Sequence, residues 1–168
     1  WKEQPVLDHS EVKQKIFLVQ DEPVFAQTEN ARELIEYLSL FYPALESELF
    51  YDLLSQLKLN PKQPFSAFSK GMKRQVLMAA GLAAHPELLL IDEGFDGLDP
   101  FARRLLQGQL AAQTVEEGMA SILTSHRLSD LENFCDEYAL LDEKRILHQN
   151  SMFQTQQQLV KVHLAFDH

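Results

Sequence analysis

The sequence predicts an α/β fold built around a partly parallel sheet. Three features carry that prediction: short apolar runs rich in β-branched residues, helical segments between them, and Pro or Gly breaks at the joins. The first run, Ile16-Phe17-Leu18-Val19, passes into the polar Gln20-Asp21-Glu22-Pro23 and reads as a buried strand leading into a loop. From Ala31 to Phe41, Leu34, Ile35, Leu38 and Phe41 share one helical face. Pro43 separates that helix from a second at about 46–58, where Leu49, Leu53 and Leu57 recur every four residues. Asn60-Pro61-Lys62-Gln63-Pro64 closes the pair. Tyr37, Phe41, Tyr42, Phe50 and Tyr51 cluster here, mostly as core, with an exposed few as a docking surface.

Ser69 is the expected N-cap of a helix running to about His85, with Met72, Val76, Ala79, Ala80 and Ala83 inward and Pro86 as its stop. Leu88-Leu89-Leu90-Ile91 lacks alternation, the pattern of a central strand covered on both faces. A helix at about 101–117, a strand at 120–123 and a short helix at 128–134 follow. Runs at 138–141 and 146–148 flank Asp142-Glu143-Lys144-Arg145 as a hairpin. The Gln-rich stretch 154–158 reads as a linker or short helix, and Val160, Val162, Leu164 and Phe166 alternate as a strand does.

Composition bounds the function. The 168 residues suit one domain, and 45% hydrophobic with 24% charged residues exclude disordered or collagen-like chains. A net charge of -10 repels phosphates, so a large nucleic-acid footprint is not expected. The single cysteine rules out an internal disulfide and a thiolate zinc cluster. No apolar run approaches the roughly 20 residues of a membrane helix, and the first residues are too polar for a signal peptide. The expected setting is cytoplasmic. Because the chain opens with Trp1, it is expected to start inside a longer reading frame.

Four segments carry chemistry. Leu88-Leu89-Leu90-Ile91-Asp92-Glu93 places two carboxylates at the carboxyl edge of the sheet, where α/β proteins bind ligands. Asp92 suits Mg²⁺, usually through water, and Glu93 suits orienting or deprotonating an attacking water. Taken alone, this is also a strand running into a charged turn. Gly97-Leu98-Asp99-Pro100 reads as a turn with Asp99 as cap and Pro100 as the first helical residue. Phe68-Ser69-Lys70-Gly71-Met72-Lys73-Arg74-Gln75 is either a plain N-cap with a solvated basic face or an anion site at a helix N-terminus. His126 follows a strand, as a loop residue or a phosphate contact.

In this order the segments resemble the ATP-binding cassette (ABC) ATPases, specifically the nucleotide-binding domain of an ABC transporter. Residues 68–75 resemble the L-S-G-G-Q signature in an S-K-G-M form, 88–93 resemble Walker B with the catalytic glutamate, 97–100 the D-loop, and His126 the switch histidine. The resemblance spans about residues 15–147. It implies a P-loop NTPase-like sheet with flanking helices, lacking its N-terminal part, and an inserted α-helical subdomain at about 28–68. Residues 69–150 would carry the signature, Walker B, D-loop and switch region of a 1–150 domain fragment, and 151–168 would begin a C-terminal extension.

Several positions depart from the family. None of the six glycines sits in G-x-x-x-x-G-K-[ST], so the chain is expected to begin after that loop and, as it stands, to bind ATP weakly without hydrolysing it. Aligned from Ile16, the loop glutamine falls on Asp21, with Gln20 one residue early; Asp21 remains a hard oxygen donor for Mg²⁺. Lys70 replaces a glycine, Met72 the glutamine, and Gly94 the usual proline, which should loosen that turn.

The resemblance further implies a head-to-tail dimer, homomeric or heteromeric, that sandwiches two ATP molecules with Mg²⁺. One protomer would supply Asp92, Glu93, His126 and the loop at Gln20 and Asp21; its partner would supply Ser69, Lys70, Gly71, Met72 and Asp99. Glu93 and His126 are the expected catalytic residues, and Asp92 and Asp21 the expected metal ligands. Transmembrane permease subunits would dock on the helices between Ala31 and Lys58, placing the protein at the inner face of the membrane. A non-transport ABC ATPase and a non-catalytic module are the competing readings.

Overall fold

A computed structural model describes residues 9–22, 25, 28–126, 135–142 and 145–151. Three parallel strands, β1 (Ile16–Val19), β2 (Leu88–Asp92) and β3 (Ala120–Thr124), lie side by side in that order. Val19, Ile91 and Leu123 share a register row, so residues 20–21, 92–93 and 124–126 all leave from one edge. A turn of helix, α1 (Ser10–Lys13), precedes β1 and was not anticipated.

The crossover from β1 to β2 contains α2 (Ala31–Leu38), α3 (Ser47–Gln56), a 3-10 turn (Phe65–Ala67) and α4 (Lys70–Ala83). Asn30 caps α2 by accepting from the Glu33 amide, while Glu33 accepts in return from the Glu29 amide at 2.9 Å. The chain returns beside its departure point, where the Phe65 amide donates to the Glu29 carbonyl at 2.8 Å. On α3 the buried stripe is Phe50, Leu53, Leu54 and Leu57, and Leu49 is half-buried. Leu53 and Leu57 of the four-residue leucine repeat lie in that stripe and Leu49 at its margin, because a strict spacing of four drifts around a helix of 3.6 residues per turn. Tyr37, Phe41 and Tyr51 are exposed, whereas Phe50 is buried and the half-buried Tyr42 hydroxyl donates to the Ile16 carbonyl at 3.2 Å.

Helix α4 packs against α3, β1 and α5 (Pro100–Glu117), so it is buried on every side from Arg74 to Ala83. Small residues permit this. A Cβ on Gly81 would lie 3.0 Å from Phe17 Cδ1 and 3.1 Å from Leu89 Cδ1. The anticipated one-faced helix with a solvated basic side is therefore corrected: Arg74 is 1% exposed.

The sheet also departs from expectation. Leu89 and Ile91 are buried, but Leu18 and Ile122, which flank Leu90 in the register, are 47% and 59% exposed. Among the described residues the face carrying Leu18 and Ile122 is largely open, with Leu88 buried at its start. Helix α5 has the anticipated start, Asp99 as cap and Pro100 in the first turn, and ends at Gly118 with φ +71.

The chain divides into two compact units, Trp1–His126 and Arg127–His168. In the second, β4 (Glu137–Asp142) and β5 (Arg145–Ser151) form the anticipated antiparallel hairpin, longer than the runs suggested and irregular at Leu140/Leu141. The anticipated helix at 128–134, the Gln-rich stretch and the strand at 160–166 lie outside the described residues.

Candidate functional site

At the carboxyl edge the chain turns sharply as β2 ends. Glu93 adopts φ +50, a left-handed conformation that costs a non-glycine residue about 1–2 kcal/mol. Two contacts hold it. The Glu93 amide donates to Thr124 Oγ1 at 3.1 Å, and the Asp96 amide donates back to the Glu93 carbonyl at 3.0 Å. Gly94 then folds tightly against the strand it has just left. A Cβ there would collide with Ile91 Cγ2 and sit 3.3 Å from Met78 Sδ. The expectation that Gly94 loosens the turn is thus reversed, since only glycine allows this close return.

Thr124 Oγ1 also donates to Asp92 Oδ1 at 2.6 Å, because Asp92 and Thr124 are register partners across β2 and β3. His126 Nδ1 lies 3.0 Å from Glu93 Oε2. A carboxylate only accepts, so Nδ1 carries the proton and Nε2 is left for another group. Asp92, Glu93, Thr124 and His126 form one hydrogen-bonded chain at the sheet edge. The sequence reading singled out three of the four. It passed over Thr124, which reads as an ordinary β-former, and the available signal was its position at the end of the strand before His126.

The second cluster surrounds the start of α4. Ser69 is the anticipated N-cap, its Oγ accepting from the Met72 amide at 3.1 Å. Gly71 lets the following loop approach: a Cβ there would lie 2.7 Å from the Gly97 carbonyl oxygen. Gly97 itself turns with φ +69. Asp99 Oδ1 accepts from the Phe101 and Ala102 amides at 2.9 and 3.0 Å, and Gln75 Nε2 stands 3.5 Å from Asp99 Oδ2. The start of α4 and the 97–99 loop therefore meet.

Asp21 joins this cluster through cations. Lys70 Nζ lies 3.2 Å from its Oδ1 and 3.3 Å from its Oδ2, and Arg74 Nη2 donates to the same Oδ1. The anticipated free basic patch of Lys70, Lys73 and Arg74 is corrected accordingly, since Lys70 and Arg74 are paired with Asp21. Metal ligation by Asp21 would have to share its carboxylate with these two cations. Gln20 is exposed beside it.

Among the described residues no group of three or more His, Cys, Asp or Glu side chains forms a metal cage. Mg²⁺ does not need one, since it commonly keeps several waters and takes one or two carboxylates plus substrate phosphates. Asp92, exposed and accepting from a hydroxyl on one oxygen, fits such a ligand. Among the described residues no helix is long and apolar enough to cross a membrane.

A parallel sheet with an acid pair, a hydroxyl and an imidazole at its carboxyl edge, beside a serine-capped helix, has the architecture of a nucleotide-handling α/β domain. The model of the ABC transporter family matches residues 1–96, and the chain belongs to that family. It is 25% identical over 95% of its length to the ABC transporter ATP-binding protein YtrB of Bacillus subtilis, covering 54% of that protein. It is 31% identical over 82% of its length to the linearmycin resistance ATP-binding protein LnrL of the same organism, covering 46% of it. The chain thus spans about half the length of the curated relatives it matches. Among solved structures, the ATP-binding subunit of an ABC transporter superposes with a TM-score of 0.78 at 24% identity, covering 89% of this chain and 64% of that one. The ATP-binding cassette MJ0796, a post-hydrolysis dimer bound to ADP and Pi, gives 0.73 at 19% identity over 88% of this chain and 68% of its own. At these identities the superpositions show the α/β ABC ATPase fold.

Proposed function

We propose that the full-length protein is the ATP-binding subunit of an ABC transporter, hydrolysing ATP to drive transport through membrane-subunit partners. The observation that carries this reading is the chain from Asp92 through Thr124 to Glu93 and His126. Glu93 accepts a proton from, or orients, the attacking water, and the Nδ1 contact orients His126 so that Nε2 meets the γ-phosphate. Asp92 would hold Mg²⁺, which would supply positive charge against the phosphates. Thr124 ties the Asp92 carboxylate to the Glu93 backbone amide.

The helix start at Ser69, Lys70, Gly71 and Met72, with Asp99 beside it, serves the nucleotide of a second ABC subunit, homomeric or heteromeric. Such a helix end favours an anion through its dipole and open amides. Asp21 and Gln20 border the site, with Asp21 held by Lys70 and Arg74 as an oxygen donor on the metal side. Permease subunits dock on α2, α3 and the loop between them, where Tyr37, Leu40, Phe41 and Tyr51 are exposed; such docking would put the protein at the inner face of the membrane.

The test is Glu93→Gln in the full-length protein. A general base contributes typically about 10²–10⁴-fold, so turnover should fall by that factor while ATP-bound dimers persist. Hydrolysis within threefold of the parent would remove Glu93 from this role.

A further inference from the structure

We propose that Arg74 is a positioning residue that clamps the loops following β1 and β2 onto the first turns of α4. The proposal deepens the functional reading above, which assigns those loops to the nucleotide site. The Arg74 side chain is 1% exposed, and burying a guanidinium is costly unless its charge is paired. Here the matching groups come from two different loops. Nη2 donates to the Asp21 carboxylate and, at 2.8 Å, to the Asp21 carbonyl. Nη1 donates to the Asp96 carbonyl. Nε is buried without a partner among the described residues, so the side chain's hydrogen bonds are all directed at these two loops.

The clamp reaches the reacting edge in one further step, because the Asp96 amide donates to the Glu93 carbonyl at 3.0 Å. On the same face of α4, one turn earlier, Lys70 grips the Asp21 carboxylate. Between them Gly71 admits the Gly97 carbonyl, and a Cβ on Gly97 would stand 3.9 Å from Arg74 Nη1. Helix α4, Asp21 and the Glu93 turn are therefore joined through one side chain. A planar fork with donors on separate nitrogens can span both loops, whereas a lysine ammonium is a point charge. The consequence is mechanical. A shift of the helix start that meets the partner's nucleotide is transmitted to two loops at the protomer's own nucleotide.

Amide hydrogen exchange of the full-length protein tests this. In Arg74→Gln, amides of residues 20–22 and 95–98 should both exchange roughly tenfold faster or more, the factor corresponding to losing a hydrogen bond from a charged group. Amides of β2 and α5 should stay at parent rates. If either loop stays within twofold of the parent, or exchange rises evenly through β2 and α5, the clamp is overturned. Should Arg74→Gln fail to fold, Arg74→Lys carries the test. Its ammonium still reaches Asp21 but does not span to Asp96, so only 95–98 should loosen; parent-level protection of 95–98 would overturn the proposal. Exchange needs no nucleotide, so a parent protein without ATPase activity would refute the functional reading and leave the clamp to stand or fall on its own measurement.

Discussion

Gly71→Ala sets two physical effects of opposite sign against each other. Glycine within a helix is disfavoured relative to alanine by up to about 1 kcal/mol, so propensity alone makes the substitution stabilising. Packing opposes it. The new Cβ would stand 2.7 Å from the Gly97 carbonyl oxygen and 3.9 Å from Ser69 Oγ. The near atom is backbone, in a turn fixed at φ +69 and tied through the Asp96 carbonyl to Arg74. It cannot rotate away as a side chain would, so helix and loop must separate by several tenths of an ångström.

Overpacking of this kind costs about 1–3 kcal/mol. Less the propensity gain, the net is a destabilisation of about 1 kcal/mol, or a fall in Tm of about 2–4 °C for a domain of this size. Separating the helix start from the 97–99 loop should also lower ATP turnover of the full-length protein more than its affinity for ATP. Thermal unfolding and steady-state kinetics measure the two together. A rise in Tm would mean that propensity wins and that Gly71 does not meet Gly97 as described, and the packing argument would fall with it.

Two further outcomes follow from single contacts. Thr124→Val keeps the branched shape but removes the hydroxyl that accepts from the Glu93 amide and donates to Asp92, so turnover should drop roughly tenfold or more with Tm changed little; turnover within twofold of the parent would show that the hydroxyl does not position the acid pair. Burial, reinforced by the charge of Asp136, pushes the Cys135 thiol above its ordinary value. A raised pKa leaves less thiolate near neutral pH, so iodoacetamide should modify Cys135 more slowly than free cysteine at pH 8, with the gap narrowing as pH rises; equal rates would contradict the burial.

What the sequence disclosed divides by range. Ser69 and Asp99 were legible as caps because a cap is a local bond, to the Met72 amide in one case and the Phe101 and Ala102 amides in the other. The acid pair was legible because an apolar run ending in charge marks where a strand leaves the sheet. Arg74 was not: its partners lie 53 and 22 residues away, and a basic residue in the first turns of a helix reads locally as solvated. On α3 the leucine repeat found Leu53 and Leu57 but not Leu54, which falls off a strict spacing of four.

The site depends on the core through strand register. Asp92 faces Thr124 only because Leu89 pairs with Ser121 and Ile91 with Leu123. Leu89 and Ile91 are 0% and 2% exposed, so β2 cannot slip by one residue without moving its buried row to the open face of the sheet. A slip would bring Leu123 or Ser125 opposite Asp92, and the hydroxyl that ties Asp92 to the Glu93 amide would leave its place. Burying a leucine or isoleucine side chain stabilises by about 1.5–3 kcal/mol, more than a single exposed hydrogen bond at the edge supplies. The apolar interior of β2 thus sets the register, and the polar edge inherits its geometry. Substitutions at Leu89 or Ile91 should therefore disturb the Asp92–Thr124–Glu93 chain although neither side chain takes part in it.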